Sequence, residues 1–157
     1  MFGLAGTSVS SAGSTRSGSS SVGRFGVGYD NVDTAACTRA DVAVYITRQA
    51  VVRPVASSIV LLVLASAHNL VWKDRLLRQG EWVASTRKLG KEPRGRVLGT
   101  VGLGNIAREA LRLLTPFGFS EFLAYDPAVT SAEGVRMVSL ETLFSESDFV
   151  LINCPLM

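Results

Sequence analysis

From Val97 onward the chain alternates short apolar runs with stretches of helical periodicity. "VLGTV" (97–101) and "DFVLIN" (148–153) are apolar without interruption by charge after their first residues, as parallel strands covered on both faces should be. Between them the pattern predicts a helix over about 105–115, with Ile106, Ala110, Leu113, Leu114 and Phe117 on one face. It then predicts a strand at 121–126 (EFLAYD), a short strand at 135–138 (VRMV) and a helix begun by Ser139, with Glu141 in its first turn. Connections this short between strands and helices imply parallel pairing with right-handed crossovers, an α/β architecture. Upstream, "RFGVGYDNVD" (24–33) reads as a strand end and a turn, and "DTAACTRA" (33–40) as a short helix capped by Asp33. "DVAVYIT" (41–47) reads as a strand, and Pro54 opens a long apolar helix. That helix is apolar all round at 59–65, the mark of burial between layers or subunits. A polar helical stretch follows at 73–82, then a loop at 85–95.

Composition sharpens this picture in a few places. The 157 residues are 47% hydrophobic and 18% charged, enough apolar mass for one ordinary core. Net charge is +3, but eight Lys/Arg against three acids between Lys73 and Arg96 give that stretch +5 and leave −2 elsewhere. With only Trp72 and Trp82 as aromatic company, the basic stretch reads as a solvated surface and not a nucleic-acid face. The uncharged run 55–72 just reaches spanning length, yet its serines, His68 and Asn69 argue against a membrane partner. Residues 1–23 are 13 parts serine and glycine, too poor in apolar groups to offset the entropy of ordering, and read as a disordered tail. Cys37 and Cys154 form neither a disulfide framework nor a metal site, which suits a reducing, cytoplasmic setting. The sole histidine, His68, excludes a His-rich metal centre and reads as structural.

The chemistry concentrates after the strand at 97–101. Gly102-Leu103-Gly104-Asn105-Ile106-Ala107 is a G-x-G-x-x-A sequence opening a helix. Gly102 permits the tight turn, Gly104 lets a pyrophosphate approach the backbone, and Ala107 keeps helix and strand close. The helix N-terminus adds unpaired N–H groups and the positive end of its dipole. Asp126, 22 residues beyond Gly104 at the end of the next strand, is placed to accept hydrogen bonds from a ribose. No Lys or Arg occurs in 126–133 to receive a 2′-phosphate, so the expected cofactor is NAD and not NADP.

With these residues in hand, the sequence resembles the D-isomer-specific 2-hydroxyacid dehydrogenases. The likeness runs from Arg24 to Leu156 through "RFGVGYDNVD", "RPVA", "LLRQGEW", "GRVLGTVGLGNIARE", "FLAYDP" and "SESDFVLINCPL". It implies a Rossmann-type doubly wound parallel sheet, incomplete, with a remnant of the substrate domain. The expected division is a tail at 1–23, the substrate-domain remnant at 24–53 and the first part of the NAD-binding domain at 54–157. It also implies that Phe25 and Gly26 present amides to a substrate carboxylate, and that Gly102, Gly104, Asn105 and Ile106 hold the pyrophosphate. Asp126 would hold the ribose, and Cys154 and Pro155 would line the adenosine side. The substrate of the full-length parent would be a small 2-hydroxy or 2-oxo acid, and a homodimer is expected.

Two departures stand out: Ile46-Thr47-Arg48 where the family has Asn-Thr-Pro, and Ser57 where an acid is usual. The arginine, acid and histidine that perform catalysis in the family would lie beyond the residue matching Met157. The chain is therefore expected to be an interior fragment without dehydrogenase activity of its own, its strand at 148–153 left open to association. A non-catalytic NAD-binding or corepressor-like scaffold, and a truncated gene product without function, stay open as alternatives.

Overall fold

The computed structural model describes residues 21–154, which fall into two compact units divided between Val51 and Val52. Residues 1–20 of the expected tail, and Pro155 of the expected site, lie outside the described residues.

In the first unit β1 (Ser21–Arg24) pairs in parallel with β2 (Ala43–Ile46), from Ser21 opposite Ala43 to Arg24 opposite Ile46. Between them runs α1 (Thr34–Arg39), whose first turn is closed by Asp33: its carboxylate accepts the Ala36 N–H at 2.8 Å. The strand starts at Ser21, inside the stretch assigned to the tail. Its ladder comes from the backbone, which composition alone does not report.

The second unit begins with α2 (Val52–Ala67), α3 (Leu70–Arg78) and α4 (Trp82–Arg87). There follow β3 (Val97–Val101), α5 (Asn105–Leu114), β4 (Glu121–Tyr125), β5 (Arg136–Met137), α6 (Leu140–Glu146) and β6 (Phe149–Ile152). The sheet order is β5-β4-β3-β6 and every pairing is parallel. On one face of the sheet Leu98 packs with Ala107, Leu111 and Leu114 of α5 and Val63 of α2. By strand alternation Gly99 faces the other way, where a Cβ would stand 2.9 Å from Leu143 Cγ of α6. The absent side chain lets α6 lie directly on β3, and the sheet is covered on both faces, as its apolar strands required.

Three expectations need correction. The apolar stretch does not run on to Trp72 as one helix, nor is it buried all round. Asn69 adopts a left-handed conformation (φ 54°) and its amide donates to the Leu89 carbonyl, while Lys91 N–H donates to the Ala67 carbonyl at 2.7 Å. The loop thus captures the end of α2, and α3 leaves at 65°. Only Ala56, Val63 and Ala67 are buried; Leu61 and Leu62 are 62% and 67% exposed. Among the described residues no single helix is long and apolar enough to cross a membrane. Next, α4 takes in Ser85–Arg87, which had read as loop; the Ser85 hydroxyl donates back to the Trp82 carbonyl. Lastly, the buried stripe of α5 is Ala107, Ala110, Leu111 and Leu114. Phe117 falls off it because Thr115–Phe117 tightens into a 3₁₀ turn that Gly118 ends in a left-handed conformation.

Candidate functional site: the glycine turn between β3 and α5

The turn from Val101 to Asn105 sits at the C-terminal ends of four parallel strands, where open α/β sheets form their crevices. Gly102 has φ 90°, a conformation that L side chains rarely adopt, and a Cβ on it would lie 2.9 Å from the carbonyl carbon and oxygen of Asn153. So Gly102 answers two demands: the sense of the turn and the close passage of β6's end. Gly104 differs. Its φ is −75°, and among the described residues nothing lies within 4 Å of where its Cβ would stand. The space over Gly104 is open, as a cradle for a phosphate must be. No side chain among the described residues caps α5, which leaves the N–H groups of its first turn, beginning at Asn105 and Ile106, for a ligand or water.

Asp126 follows β4 directly and is half-buried. Its Oδ2 accepts the Leu103 N–H at 2.8 Å, and its Oδ1 accepts the N–H groups of Ala128 at 2.8 Å and Val129 at 3.2 Å. These backbone donors, Leu103 first, hold the carboxyl below its usual range, with Arg108 adding to the effect. The group is therefore ionised at neutral pH. A carboxylate offers about four lone-pair sites, so three backbone bonds leave capacity for a hydroxyl. The sequence leads one to expect this acid at a ribose; in the structure it ties down the turn.

Gly102, Gly104, Asn105, Ile106 and Asp126 thus come together. Cys154, exposed just past β6, reaches the same turn: its backbone N would be 3.0 Å from a Gly102 Cβ. Phe25 and Gly26 belong to the first unit. Phe25 is 74% exposed; Gly26 has φ 124°, and its N–H donates to the Thr47 hydroxyl at 2.9 Å. His68 is exposed at the end of α2, where Gly90 packs against it so closely that a Cβ would stand 2.7 Å from its Cα.

Sequence reasoning missed the turn's supports. The Gly102 N–H donates to the Tyr125 carbonyl at 2.8 Å, and Arg108 Nε donates to the Leu103 carbonyl at 3.1 Å. Thr100, fully buried, donates to the Gly102 carbonyl at 2.9 Å, and Asn153 Nδ2 donates to Thr100 Oγ1 at 3.0 Å. The only available signal was polarity out of place: a threonine inside "VLGTV" and an asparagine closing "FVLIN".

A parallel sheet wound on both faces, with a glycine turn and an acid at its carboxyl end, defines a dinucleotide-binding α/β domain. Residues 60–157 match the family model described as "D-isomer specific 2-hydroxyacid dehydrogenase, NAD binding domain", and the chain belongs to this family. It is 36% identical over 136 residues to a hydroxypyruvate reductase of Thermotoga maritima, a match covering 86% of this chain and 44% of that protein. It is likewise 36% identical over 140 residues to a formate dehydrogenase of Neurospora crassa, covering 83% of this chain and 37% of that one. Among solved structures, an NAD-dependent formate dehydrogenase from Staphylococcus aureus in complex with NAD superposes with a TM-score of 0.72 at 27% identity, over 86% of this chain and 42% of its own. The chain spans less than half the length of these relatives. NAD is the cofactor of this domain, and the open cradle at Gly104 and the ionised Asp126 fit it.

Proposed function

We propose that these 157 residues form the adenosine- and pyrophosphate-binding part of an oxidoreductase that acts on the CH–OH group of D-2-hydroxy acids. One observation carries the reading: the Leu103 N–H meets Asp126 at 2.8 Å, so the phosphate-holding turn and the ribose-holding acid form a single unit. Gly102, Gly104, Asn105 and Ile106 hold the pyrophosphate, Asp126 the ribose, and Cys154 and Pro155 the adenosine side. When bound, NAD supplies a hydride acceptor. The carboxylate of Asp126, with no Lys or Arg over 126–133, disfavours a 2′-phosphate. In the whole protein, Phe25 and Gly26 face the carboxylate of a small 2-hydroxy or 2-oxo acid. Because the Gly26 N–H is engaged by Thr47, a substrate must displace that hydroxyl or rely on the Phe25 amide. The sole histidine, exposed at the end of α2 and packed against Gly90, supports a chain that binds NAD without turning over substrate alone. A homodimer belongs to the same reading, supported by exposed Leu61, Leu62 and Ile152 on α2 and edge strand β6. So does a cytoplasmic setting, supported by the free thiols Cys37 and Cys154.

Calorimetric titration with NADH and NADPH tests it. The folded chain is expected to bind NADH more tightly than NADPH, and Asp126→Asn is expected to weaken NADH by about tenfold or more, the cost of losing a charge-assisted bond. Equal affinity for the two dinucleotides, or no uptake by folded protein, overturns the reading.

A further inference from the structure

The supports beneath the turn form a chain with a definite direction. Thr100 has one hydroxyl proton, and it goes to the Gly102 carbonyl at 2.9 Å. The hydroxyl oxygen can therefore only accept from Asn153, whose Nδ2 stands 3.0 Å away. The carbonyl of Gly102 and the N–H of Leu103 belong to one peptide unit, and that N–H donates to Asp126 at 2.8 Å. One peptide plane is thus gripped at both ends: from the β6 side through Asn153 and Thr100, and from the β4 side through Asp126. It is the plane from which the chain runs on through Gly104 into α5 at Asn105. Thr100 is fully buried, so no water can stand in for its hydroxyl without rearrangement.

We propose that Thr100 and Asn153 are positioning residues for the dinucleotide, a buried relay that fixes the Gly102–Leu103 peptide and so pre-aims the turn at the pyrophosphate. The inference rests on the reading above that the turn holds that group. Neither side chain touches the ligand. Their contribution is to settle, before binding, an orientation that ligand binding would otherwise have to impose.

The test compares ligands with and without the diphosphate. Thr100→Val keeps the shape and β-branching of the side chain and removes the hydroxyl; Asn153→Ala removes the donor behind it. Each is expected to weaken NADH and ADP-ribose about fivefold to tenfold, the value of one net hydrogen bond, while leaving adenosine binding, followed by NMR titration, unchanged. Thr100→Ser, which restores the hydroxyl, is expected to recover most of the loss. Amide exchange at Leu103, measured without ligand, is expected to quicken in Thr100→Val and not in Thr100→Ser. Equal losses for adenosine and NADH, unaltered NADH affinity in folded Thr100→Val, or unaltered Leu103 exchange each overturn the relay. Absence of NADH uptake by wild-type protein would instead strike the functional reading, and the exchange measurement still judges the relay by itself.

Discussion

Two loops of this chain use the same parts to different depth. After β1, Gly26 at φ 124° turns the chain and is tied to a threonine, Thr47, through its N–H. After β3, Gly102 at φ 90° turns the chain and is tied to a threonine, Thr100, through its carbonyl. Around Gly26 the described residues leave space: among them a Cβ there would meet only Arg24 Nη1, at 3.9 Å, and neighbouring Phe25 is 74% exposed. Around Gly102 the same atom would press on the backbone of Asn153, and Thr100 has no exposure at all. A glycine after a strand sets only the direction of a turn. How firmly the turn is held depends on what the rest of the fold packs behind it, and here a four-stranded sheet does so for one loop and a two-stranded ladder for the other.

The sharpest way to break this contrast is to put alanine at both glycines. Gly102→Ala is expected to destabilise its unit by about 3 kcal/mol or more, because left-handed strain and overpacking against backbone add together. Gly26→Ala should cost about 1–2 kcal/mol, strain alone. Denaturant unfolding of both variants checks the order; equal losses would remove the distinction. Below this in size comes the acid response of the helix pair over the sheet. Glu109 of α5 lies between Arg112 and Arg53, 2.8 Å and 2.9 Å away, and they hold its carboxyl down to about 2 from an ordinary 4.5. A depressed carboxylate stabilises the fold above its unfolded pKa and ceases to as pH falls through its folded one. Stability measured by denaturant from about pH 5 to about pH 2 should therefore decline in wild type and decline less steeply in Glu109→Gln. Parallel curves would show that the exposed triad adds nothing. The smallest effect expected is that of Thr47→Val, about 0.5 kcal/mol by the same unfolding measurement, since water reaches the Gly26 amide there. A loss above 2 kcal/mol would mean that the first loop is held as firmly as the second.

The outline of the second unit was legible because its elements are bounded by local signals. "VLGTV" became β3 over Val97–Val101, and Ser139 caps α6 by accepting the Thr142 N–H. The candidate site was visible in the same way, since a G-x-G-x-x-A turn and an acid 22 residues on carry their spacing in the sequence. Legibility failed wherever a distant segment intervened. The end of α2 is set by Leu89 and Lys91, residues about twenty positions away, and nothing within "ASAHNLVW" announces it. Burial of α2 was overestimated for a related reason: an all-round apolar run describes what a helix could bury, whereas the described residues cover only the side facing α5 and the sheet.

What the sequence by itself determined is the local chemistry: where strands and helices begin, where the backbone turns on glycine, the spacing of the glycine turn from the acid after the next strand, and so the family and its cofactor. Only the tertiary structure decided that Asp126 accepts the Leu103 N–H, that a buried threonine backed by the asparagine just past β6 holds the same peptide, and which flank of α2 is covered. The reason is range. Backbone preference and helical spacing act over a few residues and are written in consecutive letters, whereas a hydrogen bond between Asn153 and Thr100 joins positions 53 residues apart that only sheet register brings into reach.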